Sequence, residues 1–491
     1  MSQSAGFSSF FAKQALLPDG WHDNVRLTFS ARGFFTQVEA QVSPQPQDMR
    51  ADIALPPLPS LHSHAFQRAM AGLTEARHHP SDSFWTWRDQ MYTLAARITP
   101  DTLRAIAARL YMDMLKAGYT QVAEFHYLHN TPDGTPYAQP AQMALSVIEG
   151  ARQAGIGMTM LPTLYRHAGF GRPLAPEQKR FASTPDFIAR VISDIAATYP
   201  DHPAVTAGVA LHSLRAASGD DMREMLRLAP PTCPVHIHIA EQVKEVEDCM
   251  AALGRRPVAW LLDEMPVDDR WCLVHATHLD AQETTRLAHS GAVAGLCPIT
   301  EANLGDGLFP LADYIDAGGR FGIGSDSNVL LNAAEELRLL EYGQRLATQK
   351  RCQALPTGMT GSVGRFLYTQ ALAGGAQACG LVSEQAPGVA SGVPSGLAGA
   401  PEAGTPPNTL GKNAGQLAVG QRADACILRE DGLSLPGLQG DAVLDSALFA
   451  CPTLPVSDVL CHGAWVVQDG RHVDESRITA AFHHAITTLR S

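Results

Sequence analysis

Clusters of basic residues are absent from this sequence, and cationic side chains are the minority among its charges. Its 491 residues include 37 lysines and arginines against 49 aspartates and glutamates, which gives a formal net charge of −12 at pH 7. Nucleic acids and anionic membrane surfaces attract proteins through concentrated positive charge. The sequence therefore argues against either as the main partner. An anionic small molecule must be held by individual cationic side chains, because the overall field repels it.

Paired cysteine motifs, long apolar runs and a basic leader are also missing. The nine cysteines follow no CxxC spacing, and such an odd, unpatterned set in a long chain is typical of reduced thiols in the cytoplasm. No apolar run approaches the length that crosses a membrane. The segment MSQSAGFSSFFAKQALLPDGW lacks the basic and apolar regions of a signal peptide. We expect a soluble, cytoplasmic protein.

Short apolar runs alternate with longer segments of helical period through residues 55–381. Runs such as YTQVAEFHY, TAGVALHSL and PVHIHIAE are separated by amphipathic stretches such as DTLRAIAARLYMDMLKAG. Seven or eight strand–helix units predict an α/β fold, a closed (β/α)₈ TIM-like barrel. An open doubly wound sheet is the alternative, although no glycine-rich phosphate loop follows the first strand.

Short strands with glycine-containing turns flank this region on both sides. They occur in residues 1–54 and 413–475, which predicts a small β-sandwich domain built from both chain ends beside the barrel. Residues 382–412 are rich in Gly, Ala, Pro and Ser and predict a flexible surface insertion. Residues 476–491 are predicted to form a C-terminal helix.

Side chains that can bind a metal or move a proton fall where the predicted barrel strands end. Reactive groups gather at this end of the strands in barrel enzymes. These side chains are His62, His64, Glu124, His126, Tyr127, His212, Arg215, His236, His238, Glu241, His275, His278 and Asp326. Three histidine clusters together with an aspartate after the last strand favour a metal site at the mouth of the barrel.

The His-x-His pair of the first strand has a physical reason that supports this interpretation. Residues i and i+2 of a strand project to the same face, with Cα atoms roughly 6.6 Å apart. His62 and His64 can therefore lean toward one cation, each at about 2.0–2.1 Å. A third histidine and a carboxylate from other strands complete a site with room for water. The alternative is that both histidines are polar residues bonded to neighbouring loops.

Four segments, in this order and at these separations, resemble the motifs of the amidohydrolase superfamily of metal-dependent barrels: LHSHAFQR, HIHIAE, LVHATH and GIGSDS. Further segments, among them SFWTWR, HSLRA and TEANLGDG, make the chain similar to the formimidoylglutamate deiminase family of bacterial histidine degradation. The resemblance spans nearly the whole chain. It implies hydrolysis of N-formimidoyl-L-glutamate to N-formyl-L-glutamate and ammonia.

The resemblance also implies one divalent cation, Zn²⁺, with four protein ligands: His62, His64, His238 and Asp326. Many members of the superfamily hold a second metal through a carboxylated lysine at the end of the fourth strand. No lysine stands there in TAGVALHSLRA, which implies a mononuclear site. The family pattern places the ligand of HIHIAE three residues before the glutamate, so His236 is left as a packing residue. The same donors also suit iron or manganese to some degree.

Three residues are implied to act in the reaction itself. A metal cation lowers the pKa of its water toward about 7, and Asp326 accepts the proton of that water. His275, which is not a metal ligand in this interpretation, hydrogen-bonds the charge that develops at the tetrahedral carbon. Glu241 protonates the nitrogen that leaves as ammonia. The alternative for Glu241 is a salt bridge with a nearby base such as Lys244.

Five residues are implied to bind the substrate: Gln67, Arg88, Tyr127, His212 and Arg215. A substrate with two carboxylates suits bidentate arginines, so Arg88 and Arg215 are the expected clamps. Structural alternatives stay open, because Arg88 can stack on the neighbouring tryptophans and Tyr127 can close the core.

Two other functions also stay open at the level of sequence. A ring deaminase of the same superfamily needs a pocket for a flat neutral ring, which two inward arginines suit poorly. A barrel without metal, kept as an assembly scaffold, is disfavoured because every ligand type is present.

Asn328 stands where the family pattern leads us to expect histidine, which leaves a related amidine substrate open. The family resemblance further implies a homodimer.

Overall fold

The structure is a computed structural model that describes residues 8–76, 84–200, 202–381 and 415–491. The insertion predicted for residues 382–412 lies outside these residues, so its flexibility stays a prediction. Among the described residues, no helix combines the length and the apolar character that crossing a membrane requires.

Strands and helices alternate through most of the described chain. The strands are β1 (Ser9–Leu17), β2 (Gly20–Phe29), β3 (Phe35–Glu39), β4 (Met49–Leu55), β5 (Leu58–Ser63), β6 (Tyr119–His126), β7 (Gly157–Leu164), β8 (Val205–Ala207), β9 (Val209–Leu211), β10 (Val235–Ile239), β11 (Trp271–His275), β12 (Val293–Leu296), β13 (Arg320–Ile323), β14 (Ala425–Leu428), β15 (Val456–Cys461), β16 (Ala464–Gln468) and β17 (Arg471–His472). The helices are α1 (Phe84–Ala95), α2 (Pro100–Lys116), α3 (Gln142–Ala154), α4 (Pro185–Thr198), α5 (Gly219–Leu228), α6 (Val243–Leu253), α7 (Pro257–Glu264), α8 (Ala281–His289), α9 (Pro298–Leu304), α10 (Leu311–Asp316), α11 (Ala333–Thr348), α12 (Val363–Ala378), α13 (Asp441–Phe449) and α14 (Glu475–Arg490). Short 3₁₀ helices cover Ala65–Met70, Pro176–Phe181 and Glu430–Gly432.

The barrel consists of β5 to β13 in chain order, each strand parallel to its neighbours. Strands β8 and β9 both pair with β7 and are two parts of the fourth barrel strand, separated at Gly208. A backbone bridge between Ser63 and Asp326 joins the first strand to the segment after the last. The predicted eight-stranded parallel barrel is confirmed, and this bridge lies at the carboxyl ends of the strands.

A second sheet combines both ends of the chain, in the order β17-β16-β15-β14-β4-β1-β2-β3. The two ends meet where β4 pairs antiparallel with β14, with Leu55 opposite Cys426 and Ile53 opposite Leu428. The separate β domain predicted from both ends is confirmed. Its described strands are hydrogen-bonded in a single sheet.

A buried arginine connects this sheet to the barrel. The Nε of Arg422 donates to Asp424 Oδ2 at 2.6 Å, and its Nη1 donates to Gln121 Oε1 in β6 at 2.9 Å. Gly157 leaves the space for this contact, because a Cβ atom there would lie 2.1 Å from Gln121 Oε1. Charge-assisted hydrogen bonds of this kind are stronger than neutral ones, so they fix the sheet against the amino-terminal ends of the barrel strands.

Several helices, among them α2, begin at a residue whose side chain caps the first turn. At the start of α2, the Thr99 hydroxyl accepts the backbone N–H of Thr102, whose hydroxyl accepts the N–H of Thr99. Pro100 follows at the first helical position, where its missing N–H costs nothing. These reciprocal bonds satisfy two of the N–H groups that a helix leaves without partners at its start.

Helix α12 packs closely on the barrel through a glycine. A Cβ atom at Gly374 would lie 2.0 Å from the carbonyl oxygen of Phe321 in β13, and a backbone atom cannot rotate away. We expect Gly374→Ala to lower the free energy of unfolding by about 1–3 kcal/mol, the range typical of overpacking, although alanine is the better helix former. Urea unfolding followed by circular dichroism measures this change.

Ala373→Ser is the matched control, because Ala373 is the exposed neighbour on the same helix. The control is expected to unfold at the urea concentration of the wild type. If Gly374→Ala also unfolds there, the close packing of α12 on β13 is not required for stability.

Candidate active site

Side chains from four barrel strands converge at the carboxyl ends of those strands. His62 is in β5 and His64 directly follows it, while His238 is in β10, His275 ends β11 and Asp326 follows β13. All five side chains are buried. Parallel strands in a barrel place their carboxyl ends on one face, which explains how residues far apart in the chain meet.

Left-handed backbone conformations occur at three of these strand ends. The φ angle is +68° at His275, +45° at Asp326 and +50° at Ala240, which lies between His238 and Glu241. Residues other than glycine adopt this conformation rarely and at an energetic cost. Its concentration at one end of the barrel is typical of a functional site.

Donor atoms of the four predicted metal ligands lie close to one another, with His62 in contact with the other three residues. The Nε2 atoms of His62 and His64 each lie 3.3 Å from Asp326 Oδ1, and the Nε2 atoms of His62 and His238 are 3.0 Å apart. A tetrahedral ion with bonds of about 2.1 Å separates neighbouring ligands by about 3.4 Å. His62, His64 and Asp326 therefore fit one divalent cation, and His238 lies next to His62, so the predicted set of four ligands stays a prediction.

The surroundings of two of these histidines fix their orientation. The Nδ1 of His64 donates to the carbonyl oxygen of Phe125 at 2.8 Å. A carbonyl oxygen only accepts, so in the neutral ring Nε2 carries the free lone pair that a metal needs. The ring of His238 stacks on that of Phe125 at 4.2 Å between centroids. Both contacts hold the imidazoles in the position of ligands.

Asn328 forms hydrogen bonds that hold the backbone next to His64 and Asp326. Its Nδ2 donates to the carbonyl oxygens of Asp326 and His64, and its Oδ1 accepts the hydroxyl of Ser325 at 2.7 Å. The backbone N–H of Asp326 also donates to the carbonyl of His62 at 3.0 Å. The asparagine found where a histidine was expected is therefore buried and engaged in holding the Asp326 loop.

His275 is surrounded by carboxylates. Its Nδ1 lies 3.2 Å from Glu301 Oε1, and its Nε2 lies 3.8 Å from both Glu241 Oε1 and Asp326 Oδ2. Burial lowers the pKa of His275, but the carboxylates outweigh it and raise the pKa to about 10. The ring nitrogens of His275, His62 and His238 also lie within 4.8 Å of one another, so the assignment of His275 as a residue that does not bind metal stays a prediction.

Glu241 faces the same space and is not held by a lysine. Burial raises the pKa of Glu241 to about 7, against the opposing effects of His275 and Arg215. Lys244 instead forms a surface ion pair with Asp248 at 2.8 Å. The alternative of a Glu241–Lys244 salt bridge is therefore wrong, and a carboxyl that titrates near neutral pH suits proton transfer.

One cavity contains all five predicted substrate-binding residues. Its lining includes Gln67, Arg88, Tyr127, His212 and Arg215 together with His64, His238, Glu241, His275 and Asp326. The structure thus brings the proposed binding and reacting groups into a single space. Concave sites with a few convergent polar groups are the usual form of small-molecule binding sites.

Each wall of this cavity is set by specific contacts. The Nε2 of Gln67 donates to the hydroxyl of Tyr127 at 2.9 Å. Arg88 lies over the ring of Tyr92 at 5.6 Å from its centroid, whereas the neighbouring tryptophan at position 85 lies outside the described side chains. Arg215 Nη2 is 3.9 Å from Glu245 Oε2. Both arginines line the cavity, so stacking on an aromatic ring does not take Arg88 out of it.

The two other histidines of these motifs make structural contacts. His236 donates through Nε2 to the carbonyl of Ala378 at 2.8 Å, and His278 donates through Nε2 to the carbonyl of Asp306 at 2.9 Å. His236 is thus the packing residue that the family pattern implied. Both contacts fix loops and helices around the barrel.

The sequence did not predict the residues that hydrogen-bond to the side chains of the site and hold them in place. Glu301 accepts from His275 and from the backbone N–H of Cys297, and Gln178 donates to two tyrosine hydroxyls of the cavity wall. Glu301 lies in the TEANLGDG segment, but no spacing links it to a histidine on another strand. No sequence signal identified Gln178.

Comparison with known protein families gives two matches. The family described as "Amidohydrolase family" matches residues 53–360, and "Formimidoylglutamate deiminase HutF, N-terminal domain" matches residues 8–52. The first match covers the barrel strands and the candidate metal ligands. The second covers the amino-terminal strands of the second sheet.

Similar proteins extend over the whole chain. A formimidoylglutamate deiminase from Pseudomonas aeruginosa is 47% identical over 98% of this chain and 99% of its own length. The crystal structure of an amidohydrolase from Brucella melitensis has a TM-score of 0.88 and 43% identity, covering 98% of this chain and 100% of that one. An adenosine deaminase from Xanthomonas campestris, solved with bound zinc, shares the fold at a TM-score of 0.75 and 20% identity, with 98% of each chain covered.

Proposed function

The chain belongs to the amidohydrolase family, and we propose that it is a formimidoylglutamate deiminase. The reaction is the hydrolysis of N-formimidoyl-L-glutamate to N-formyl-L-glutamate and ammonia, a step of histidine degradation. The identity to the Pseudomonas aeruginosa enzyme over both full lengths supports this proposal, as does the match of the amino-terminal strands. The scaffold alternative has less support.

One structural observation carries the proposal. A single cavity is lined by His238, Glu241 and Asp326 and also by Arg88 and Arg215. The substrate has groups that suit both sets of side chains, namely a hydrolysable amidine and two carboxylates. A neutral ring substrate has no carboxylate with which these two guanidinium groups could form charge-assisted hydrogen bonds.

We propose that His62, His64, His238 and Asp326 hold one divalent cation, and that it is zinc. Imidazole nitrogen and carboxylate oxygen are both donors that zinc accepts, and with a water as an additional ligand the ion would be five-coordinate, a coordination number that catalytic zinc can adopt. Related folds that bind zinc support the assignment. When bound, the cation supplies a water of lowered pKa and polarises the carbon that is attacked.

The side chains around this position divide the proton transfers among them. Asp326 has one oxygen toward His62 and His64 and the other, Oδ2, at 3.8 Å from His275 Nε2, so Oδ2 can accept the proton of the attacking water. His275, protonated at neutral pH, donates to the oxygen as negative charge develops. Glu241 carries a proton to the nitrogen, which leaves as ammonia when its bond to carbon breaks.

Substrate comparison tests the proposed reaction. Purified protein is assayed for ammonia release with N-formimidoyl-L-glutamate, guanine and cytosine under the same conditions. We expect turnover with the first compound and none with the two bases. Turnover of a base without turnover of the amidine would show that the protein is a ring deaminase and contradict the proposed substrate.

Arg215→Met is expected to raise KM and to lower kcat/KM for N-formimidoyl-L-glutamate by about 100-fold. The estimate follows from the loss of charge-assisted hydrogen bonds worth about 1.5–3 kcal/mol each. The value of kcat should change less, because the guanidinium contacts the carboxylates and not the reacting carbon. Steady-state kinetics of ammonia release measure both constants.

Arg223→Met provides the control, because Arg223 is a surface residue in α5 that pairs with Asp220 and Glu264. It should have wild-type kinetics. If Arg215→Met also has wild-type KM, Arg215 is not a clamp for the substrate.

A further inference from the structure

A buried amide holds two tyrosine hydroxyls at the wall of the active-site cavity. The Nε2 of Gln178 donates to the hydroxyl oxygens of Tyr92 at 3.0 Å and Tyr165 at 2.9 Å. Gln178 itself is 2% exposed, while both tyrosines line the cavity. Because the amide nitrogen has two hydrogens, one is available for each tyrosine oxygen. The hydrogen bonds to Gln178 therefore use the oxygens of the two tyrosine hydroxyls and leave their hydrogens for other acceptors.

The segment that carries this amide is fixed to the helix that carries Arg88. Gln178 Oε1 accepts the backbone N–H of Ala175 at 3.0 Å, so all polar atoms of its side chain are used. Two residues later, the buried Arg180 donates to the carbonyls of Ile98 and of Asn130, both at 2.9 Å. The 3₁₀ helix is thereby tied to the turn after α1, and the amide has little freedom to move.

Tyr165 occupies the part of the wall where the substrate carboxylates are expected. Its ring contacts that of His212 at 4.5 Å between centroids, edge to face. Burial raises the pKa of the Tyr165 hydroxyl, while Arg88 and Arg215 both act in the opposite direction. Arg88 and Arg215 line the same cavity as Tyr165, and the raised pKa keeps the Tyr165 hydroxyl protonated at neutral pH.

The Tyr165 hydroxyl oxygen accepts from Gln178, and its own hydrogen remains for a further acceptor. Gln178 offers only its N–H groups to the two oxygens, so it cannot take this hydrogen. An anionic oxygen in the cavity is an acceptor of the right kind, since hydrogen bonds to charged groups are about twice as strong as neutral ones.

We propose that Tyr165 is a further substrate-binding residue, whose hydroxyl donates to one carboxylate of the substrate beside the two arginines. Gln178 is the positioning residue that holds this hydroxyl by donating to its oxygen. The inference rests on the proposed function. It adds a neutral, directional donor to the two cationic ones, which fixes where one carboxylate lies rather than only attracting it.

Tyr165→Phe tests the proposal with three amidines. They are N-formimidoyl-L-glutamate, its analogue without the α-carboxylate and its analogue without the side-chain carboxylate. We expect the variant to lower kcat/KM for the parent compound by about 10- to 100-fold, the effect of losing one hydrogen bond to a charged group, mainly through KM. For one of the two analogues, the ratio of wild type to variant should fall close to one, because its missing carboxylate is the one that Tyr165 binds.

Two further variants separate binding from structural effects. Tyr314→Phe is the control, since it also removes a buried hydroxyl, which donates to the Arg320 carbonyl away from the cavity. It should leave all three ratios at one. Tyr92→Phe keeps the Tyr165 hydroxyl and should have a smaller effect than Tyr165→Phe.

The outcomes are distinct from those that bear on the function itself. If the wild type releases no ammonia from N-formimidoyl-L-glutamate, the proposed function fails. If the wild type is active but Tyr165→Phe loses the same factor on all three amidines, Tyr165 binds neither carboxylate and the inference alone is overturned. A larger effect of Tyr92→Phe overturns the assignment of the donor to Tyr165.

Discussion

Glu241→Gln is expected to keep the metal and to lose about 10²- to 10⁴-fold in kcat, the contribution typical of a general acid or base. The amide has the size of the carboxyl group and can occupy the same buried position, but it cannot carry a proton to the leaving nitrogen. The KM value should change little, since Glu241 is not one of the residues assigned to the carboxylates. Ammonia release and the metal content by mass spectrometry are measured on the same preparation.

Glu247→Gln is the matched control, because Glu247 is exposed on the helix that directly follows Glu241. It makes the same change in charge within six residues and should have wild-type kcat. Near-normal turnover of Glu241→Gln at full metal content would remove Glu241 from the proton transfer.

His238→Ala is expected to lose the bound metal and to lower kcat by about 10³-fold or more. A cation at such a site contributes several kcal/mol to the barrier through its water and through polarisation of the substrate. The substitution removes one of the four donors and leaves His62 without the neighbour 3.0 Å away. Added zinc should restore activity to chelator-treated wild type but not to the variant.

His236→Gln is the control for this experiment. It stands two residues earlier on β10 and its Nε2 donates to the carbonyl of Ala378, a bond that the glutamine amide can replace. Its metal content should equal that of the wild type. If His238→Ala retains one ion per chain and normal turnover, His238 is not a ligand.

The polarity of the cavity gives these predictions a common physical basis. The protein has a net charge of −12, so a dicarboxylate is not attracted by the overall field. Arg88 and Arg215, which line the cavity, must therefore supply local positive charge. In the same cavity, Glu241 and Asp326 lie beside His275, whose pKa they raise. A cavity with both cationic and anionic side chains favours a substrate that has both carboxylates and a basic amidine.

Much of the fold could be predicted from the sequence because barrel strands are short, regular and apolar. The runs YTQVAEFHY, TAGVALHSL and PVHIHIAE each contain a barrel strand, and His126, His212 and His275 lie at or directly after the carboxyl ends of their strands, whereas His236 lies near the start of β10. The His62–His64 pair could be placed on one face because side chains alternate along a strand. The pairing of β4 with β14 was foreseen only as a shared domain, since similar composition does not specify register.

The supporting residues could not be predicted, because they depend on contacts between distant elements. Glu301 reaches His275 from the start of a different helix, and Gln178 reaches Tyr165 from a 3₁₀ turn that has no recognisable pattern. The bracing role of Asn328 follows from a left-handed loop, with φ of +59°, that no composition reveals. These contacts decide the orientation of the site, and only the folded chain brings them together.

The most direct test is a crystal structure of the purified protein with N-formyl-L-glutamate, measured on both sides of the zinc absorption edge. The account predicts one anomalous peak, at about 2.0–2.2 Å from Nε2 of His62, His64 and His238 and from Oδ1 of Asp326, with the ligand carboxylates against Arg88 and Arg215. A peak bound by other residues, or a ligand lying with its carboxylates toward Glu241, would contradict it.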